Sequence, residues 1–334
     1  MRADAVDQPR DRSGRFVNLD GSRPAGLATV LRWAVWDRLT GRRHREPVRV
    51  PTPFLEPDVE RLARPPAEGE PARITWLGHA SFLLQLDGVS LLVDPALRDA
   101  IFGGIPRLVP HAVPIAALPH VDAQLVTHNH YDHLDLPTVR AVGAPVVAGL
   151  GLAPFFRARG LRATELGWWR STDVGPVRVT LVPAHHWSRR GPLDTNATLW
   201  GGFVVEGSTA TVYHSGDSAY FAGFREIGER FPSIDAALLP IGAYDPGWFM
   251  LRQHMDPEQA LQAFEDLGAR TFVAMHWGTF KLADEPLDEP PRRVEAERAR
   301  RGLPRERVRV LAVGESLDLS AQPELVEERP GIHR

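Results

Sequence analysis

The chain contains no cysteine, so disulfides are excluded and any zinc it binds must sit on nitrogen and oxygen ligands. It also lacks a long apolar run. The longest uncharged stretch, Ala141 to Phe156, falls short of the ~20 residues a spanning helix needs, and Gly143, Pro145, Gly149, Gly151 and Pro154 interrupt it. An excess of one charge is missing too: a net charge of −3 over 334 residues gives no reason to expect nucleic acid. No helix-turn-helix, zinc-finger or RNP-like pattern occurs either. The opening segment MRADAVDQPRDRSGRF is charged throughout, unlike a secretory signal. These absences lead to the expectation of a cytoplasmic protein. Hydrophobic content of 43% and charged content of 24% are those of a soluble globular chain, long enough for one large α/β domain or two small ones.

Residues 1–70 differ in composition from the rest of the chain and read as an Arg/Pro-rich arm. The first fifty positions carry 11 Arg against 6 Asp/Glu. Within them Leu27, Val30, Leu31, Ala34 and Val35 recur at helical spacing, beside Trp33 and Trp36, with Arg42, Arg43 and Arg45 just beyond. Such a helix either packs its stripe on the main domain or lies in a membrane surface through residues 23–45, at the inner face. From Ala72 the pattern becomes regular and extends to about 318, leaving 319–334 as a tail. Short β runs at Arg73–Leu77, Ser81–Leu86 and Val89–Asp94 are followed by Ala123–Thr127, Val146–Ala148, Val177–Val182, Leu199–Val205 and Thr211–His214. Ala236–Leu239, Thr271–Met275 and Arg307–Val313 continue the series. Helices are expected at Leu136–Val142, Phe221–Arg230, after Asp256-Pro257-Glu258, and near Pro291–Arg301. Alternating strands and helices in two similar halves predict an α/β sheet sandwich covered by helices.

The chemistry concentrates in Thr127-His128-Asn129-His130-Tyr131-Asp132-His133, three imidazoles and a carboxylate directly after an apolar strand. In an extended exit His128 and His130 point the same way, whereas Asp132 and His133 point toward a neighbouring position. One segment can thus feed two metals. Further candidates share the same context, each at the end of an apolar run: His185-His186, His214-Ser215-Gly216-Asp217 and His276. Strand ends on one rim of a sheet are where α/β architectures place chemistry. Asp94, before Pro95, reads as an acceptor that fixes the tautomer of a ligand imidazole. His79 either braces the Gly-His-Ala-Ser turn or touches the site. His44, His111, His120, His214 and His333 read as structural or solvated.

With these segments in place, the sequence resembles the metallo-β-lactamase-fold hydrolases, and within them the N-acylphosphatidylethanolamine-hydrolysing phospholipase D branch. The resemblance runs from about Gly14 to Ser316. It is carried by Ile74-Thr75-Trp76-Leu77-Gly78-His79-Ala80-Ser81, the run His128 to Asp135, and His186-Trp187-Ser188-Arg189-Arg190. Ser215-Gly216-Asp217, Pro240-Ile241-Gly242-Ala243-Tyr244, Trp248-Phe249-Met250, Gln253-His254 and His276-Trp277-Gly278-Thr279-Phe280 add to it. The resemblance implies an αββα sandwich with an N-terminal extension and a dinuclear zinc site. His128, His130 and His186 would hold one Zn2+, Asp132, His133 and His276 the other, and Asp217 would bridge them around a shared hydroxide. It favours His186, which directly precedes the aromatic residue, over His185, to which it gives a supporting role. It puts His254 near the catalytic centre, as a phosphate contact or proton donor, with bracing of the next helix as the plainer alternative.

Nothing in such a centre selects a phosphodiester over a lactone, so the walls must decide. Trp187, Tyr244, Trp248, Phe249, Met250 and Trp277 all lie within a few residues of a candidate ligand or of His254, and the loop Ile101–Pro119 could add apolar surface at the mouth. The leading expectation is a phospholipase D-type phosphodiesterase acting on N-acylphosphatidylethanolamine-like lipid. A hydrolase of a soluble lactone, sugar phosphate or cyclic ester is the second. A non-catalytic scaffold stabilised by metal is the third.

Overall fold

A computed structural model of the chain describes residues 8–41 and 51–319. The expectations for Arg42, Arg43, Arg45, His44, His333 and the tail beyond 319 lie outside the described residues. The first half contains β1 (Ala72–Gly78), β2 (Ser81–Leu86), β3 (Val89–Val93), β4 (Ala100–Ile101), β5 (Ile105–Pro106), β6 (Ala123–Val126), β7 (Val146–Gly149) and β8 (Ala163–Leu166). The second contains β9 (Arg170–Val174), β10 (Val177–Val182), β11 (Gly202–Glu206), β12 (Thr211–His214), β13 (Ala236–Pro240), β14 (Thr271–Met275), β15 (Val308–Arg309) and β16 (Ser316–Leu319).

Two seven-stranded mixed sheets result, ordered β16-β1-β2-β3-β6-β7-β8 and β15-β14-β13-β12-β11-β10-β9, with β4 and β5 as a separate hairpin. Both sheets change character midway. In the first, β1, β2 and β3 pair antiparallel and β6, β7 and β8 then add in parallel. In the second, β9 to β12 are antiparallel and β13, β14 and β15 parallel. Parallel neighbours require crossovers. Helices Leu136–Val142 and Ala153–Arg157 supply them in the first half, and Gly223–Arg230, Pro257–Asp266 and Glu289–Arg300 in the second. The architecture is the expected αββα sandwich, closed when β16 returns to pair with β1.

The main core lies between the sheets. Every residue of β1, β2 and β3 is buried, as strands covered on both faces require. Trp76, Phe82, Trp200, Phe203 and Tyr213 fill the interior, and a smaller cluster around Val126, Val139 and Phe156 sits under the first-half helices. Local signals place the helix starts: Asp135 accepts from Thr138 N, and Asp256 forms a capping box with Gln259.

Five elements differ from the sequence expectation. The Leu199–Val205 run becomes strand only at Gly202, because Leu199 N–H and Gly201 N–H donate to Leu150 O and Thr127 O of the first half. Only Val308–Arg309 of the 307–313 run is strand, and Val313 instead bridges to Phe54. Strands β8, β9 and β16 had no counterpart, since their alternation is weak and their faces are half exposed.

The N-terminal segment is knitted into the domain. Phe16 is 1% exposed, Gln8 accepts from Trp168 N–H, and Asn196 donates to Phe16 O. The amphipathic helix forms as Leu27–Leu31, a π-helical Arg32–Trp36 and Asp37–Leu39. Trp33 docks it, stacking on Phe249 and donating to Asp284 at 3.0 Å. Leu31, Val35, Trp36 and Leu39 remain 47–78% exposed. Among the described residues, no helix is long and apolar enough to cross a membrane.

Candidate metal centre

Strands at and near the antiparallel-to-parallel switch of each sheet aim their exits at one place. Asp94 follows β3, His128 follows β6, Asp217 follows β12 and His276 follows β14, while β10 leads to His185 and His186. The turns are tight. His79, Asp94 and His276 all hold positive φ, at 54°, 43° and 61°. A non-glycine residue adopts that region at a cost of about 1–3 kcal/mol, which the surrounding structure must offset. Gly216 (φ 59°) lets the Ser215–Asp217 turn press onto β6, where an added Cβ would stand 2.9 Å from both Gly201 O and Thr127 Cβ.

Two groups of side chains converge. One unites His128, His130, His186 and Asp217, with ligand atoms all within 4.8 Å of one another. The other unites Asp132, His133 and His276, joined by His79. Asp217 stands between them, its Oδ2 3.7 Å from His186 Nε2 and 3.2 Å from His133 Nε2, its Oδ1 3.1 Å from His276 Nε2. All seven residues proposed as ligands from sequence thus meet at one spot. His186 and His185 separate cleanly: His186 Nε2 faces His130 Nδ1 at 3.3 Å, whereas His185 Nε2 meets Ser22 Oγ at 3.1 Å.

Hydrogen bonds at the far side of the rings fix which nitrogen faces inward. Asp94 is fully buried and accepts from Thr127 N (2.8 Å), Thr127 Oγ1 (2.7 Å) and His133 Nδ1 (2.7 Å). With its proton given to Asp94, the Thr127 hydroxyl accepts from His128 Nδ1 at 3.0 Å. His186 Nδ1 donates to Gln253 O at 2.9 Å, and its main-chain N–H donates to Asn18 Oδ1 at 3.1 Å. His79 does two things. Its main chain braces the turn through Thr279 Oγ1 and His276 N–H, and its Nε2 lies 3.0 Å from Asp132 Oδ2.

The inward atoms fit a metal. His133 Nε2, Asp217 Oδ1, His254 Nδ1 and His276 Nε2 are buried without a hydrogen-bond partner. Ligands around a tetrahedral zinc stand about 3.3–3.4 Å apart, and the spacings of 3.1 to 3.9 Å between Asp217 and the imidazoles of His276, His133, His186 and His128 bracket that value. Imidazole and carboxylate donors without thiolate suit zinc and its first-row neighbours.

Burial dominates the titration of this cluster. It pushes the His130 and His254 imidazoles down to about 4 and holds His128 and His186 well below their ordinary value. His276 goes the other way: burial opposes its charge, but Asp217 and Asp132 raise it to about 9. Burial alone would raise the Asp217 carboxyl, yet the His133 and His276 imidazoles keep it well below the carboxylate range. His254 sits at the rim, its Nδ1 3.9 Å from Asp217 Oδ2. A neutral ring there offers a hydrogen bond rather than a stored proton.

The expected aromatic walls divide. Trp187 sets its ring against His130 at 4.6 Å, and Trp248 is 42% exposed beside Phe249 at the docked helix. Met250 is half-buried on the same segment. Tyr244 and Trp277 turn inward instead. Tyr244 donates to Glu289 Oε1 beneath the Arg293 guanidinium, and Trp277 stacks on Trp76. On the Ile101–Pro119 loop, Phe102 is 67% exposed and stacks on Tyr131. His214 is structural, bonded to Ala80 O and Gly216 N–H.

A fold with these ligand-bearing strand ends is that of a metal-dependent hydrolase. Residues 90–277 match the Beta-lactamase superfamily domain, and the chain belongs to that superfamily. It is 39% identical over 314 residues to the Mycobacterium tuberculosis protein Rv0906, covering 88% of this chain and 81% of that one. It is 33% identical to a UPF0173 metal-dependent hydrolase of Pyrobaculum arsenaticum, covering 74% of this chain and all of that protein. It is 34% identical over 238 residues to N-acyl-phosphatidylethanolamine-hydrolyzing phospholipase D 1 of Caenorhabditis elegans, covering 65% of this chain and 67% of the relative. Among solved structures, the metallo hydrolase Igni18 of Ignicoccus hospitalis superposes with a TM-score of 0.56 at 25% identity, covering 75% of this chain and 98% of that one.

Proposed function

We propose that the protein is a dinuclear zinc phosphodiesterase of the phospholipase D type, acting on N-acylphosphatidylethanolamine-like lipid at a membrane surface. His128, His130 and His186 would hold one ion in this reading and Asp132, His133 and His276 the other, with Asp217 as a ligand shared by the two groups. When bound, the pair supplies a hydroxide nucleophile at neutral pH and polarises the phosphoryl oxygens. The chain's own residues do the rest. Asp94, Thr127 and Gln253 fix the tautomers of His133, His128 and His186. His254 offers its neutral ring to a phosphoryl oxygen from the rim.

The observation that carries the lipid substrate is the exposed face Leu31, Val35, Trp36 and Leu39, on a helix docked against the Trp248–Phe249 segment that leads to His254. Leu31, Val35 and Leu39 fall at i, i+4 and i+8, and Arg32 and Arg38 lie beside them, the arrangement of a helix lying in a membrane interface. The C. elegans relative, whose name gives such a lipid as its substrate, agrees with this reading.

The test supplies zinc-loaded protein with phosphatidylglycerol vesicles containing N-acylphosphatidylethanolamine, and in parallel with a soluble chromogenic phosphodiester and a chromogenic lactone. The expected result is release of phosphatidic acid and N-acylethanolamine, abolished by chelator. Leu31→Ser, Val35→Ser, Trp36→Ser and Leu39→Ser combined should lower vesicle binding and lipid turnover and spare the soluble phosphodiester. Turnover of the lactone alone would favour the soluble-substrate hydrolase, and folded protein with no turnover of any of them the scaffold.

A further inference from the structure

Two ligand rings of the centre lack a hydrogen-bond acceptor at their outer nitrogen, His130 at Nε2 and His276 at Nδ1. His128, His133 and His186 each spend their outer nitrogen on a fixed acceptor, but the outer Nε2 of His130 is buried with no hydrogen-bond partner. Its orientation therefore depends on the backbone of the 129–134 turn and on the edge of Trp187. Within that turn His133 N–H and Leu134 N–H both donate to His130 O.

Arg190 closes it. Its Nη1 donates to Asn129 O at 3.1 Å and to Leu134 O at 2.8 Å, the two carbonyls that flank His130 to His133. The guanidinium carbon lies 4.1 Å from the centre of the Tyr131 ring, inside the same turn, and the Tyr131 hydroxyl donates back to Arg190 O at 2.8 Å. Arg190 is itself held, because Asp194 accepts from the main-chain N–H groups of Arg190 and Gly191. It stands four residues after His186, so one side chain locks the His186 loop to the loop that carries His128 and His130.

We propose that Arg190 is a positioning residue for the metal group His128–His130–His186, holding His130 in register with His186. The inference rests on the two-metal reading of the site. The second group is steadied from elsewhere, by Asp94 on His133, His79 on Asp132 and the end of β14 for His276. Loss of Arg190 therefore weakens one ion and spares the other. Lysine cannot replace it, because a point-charge ammonium does not lie flat on Tyr131 while donating to two separated carbonyls.

The experiment uses full-length protein carrying Arg190→Gln, Arg190→Lys or Tyr131→Phe, loaded with zinc. It measures zinc per chain, release to a competing chelator and unfolding of the metal-free form. Both Arg190 variants should hold one ion as wild type does and the other about 10- to 100-fold more weakly, the loss typical of outer partners of a metal ligand. Tyr131→Phe keeps the stack and should bind both ions nearly as wild type. Wild-type retention of both ions by Arg190→Gln would overturn the proposal, as would equal weakening of both. If wild type itself holds a single ion, the two-metal reading fails and this proposal fails with it, whereas two ions in wild type unaffected by Arg190→Gln refute this proposal alone.

Discussion

Asp94→Asn is the most informative single change, because it alters one atom and no volume. Asp94 lies at full burial with two oxygens that accept from three donors: Thr127 N–H, Thr127 hydroxyl and His133 Nδ1–H. An asparagine has one acceptor oxygen and an amide that donates. If its oxygen stays toward Thr127 N–H, the amide faces the Thr127 hydroxyl and His133 Nδ1–H. In the flipped state the amide faces the main-chain N–H. The relaxed solution moves the His133 proton to Nε2, where it points into the centre and removes a ligand. Buried hydrogen bonds to a charged group contribute about 1.5–3 kcal/mol each, and an unpaired donor costs about 1–3 kcal/mol, so we expect about 3–5 kcal/mol of lost stability. Metal affinity should fall about 10- to 100-fold, which at saturating zinc reduces the ion's stabilisation by about 1.4–2.7 kcal/mol. Denaturant unfolding with and without zinc measures both parts, and chelator competition checks the second. Wild-type zinc retention in Asp94→Asn would refute the account of how the ring is held.

Three more outcomes rest on the same geometry. His186→Gln should empty one metal position and abolish turnover, whereas His185→Gln, at a ring that meets Ser22 and Phe221 and no candidate ligand, should change zinc content by nothing measurable by elemental analysis. In the metal-free chain His276 is raised to about 9 and His133 well above its ordinary value, so at pH 7 both carry protons that zinc must displace. Zinc binding should release about two protons at that pH, read by calorimetry in buffers of different ionisation enthalpy; release of none would contradict the charge state. Stability of the metal-free form has the corresponding sign. A raised imidazole stabilises that fold fully below its ordinary 6.5 and ceases to as pH passes about 9, so it should weaken across this range while the zinc form does not.

Much of the centre was legible because each ligand follows an apolar strand, and strands that end on histidine are conspicuous in a sequence. What holds the ligands was less so. Asp94 was readable from its place before Pro95 at a strand end, but Thr127 was visible only as the residue before His128, and its hydroxyl relay depends on where Asp94 lies in space. Gln253 contributes a carbonyl, which no side-chain pattern reports. Asn18 and Arg190 act across 168 and at least 56 positions of chain, distances at which pattern gives no pairing. The missed strands β8, β9 and β16 sit at or near sheet edges, where partial exposure erases alternation. The helix at 27–39 shows a subtler failure. Helical periodicity groups Val30 and Ala34 with Leu31 and Val35, but the π-helical turn at Arg32–Trp36 winds more widely and shifts the phase. Trp33 then faces the domain, and Leu31, Val35 and Trp36 face outward.

That docking changes how membrane binding has to be tested. The segment ahead of the helix is part of the centre's support: Asn18 accepts from the main-chain N–H of His186, donates to Ser22, and lies two residues from the buried Phe16. Removing the arm would therefore disturb the metal centre and the proposed membrane contact together, and a loss of lipid turnover after truncation would carry no information about either. Substitutions confined to Leu31, Val35, Trp36 and Leu39 separate the two, because these side chains are exposed and the docking hydrogen bond belongs to Trp33. Trp33 is the opposite case. It joins the helix to Phe249, five residues before His254, so Trp33→Ala would alter how the helix with the exposed apolar face and the rim of the centre sit relative to each other, and belongs with the site rather than with the surface.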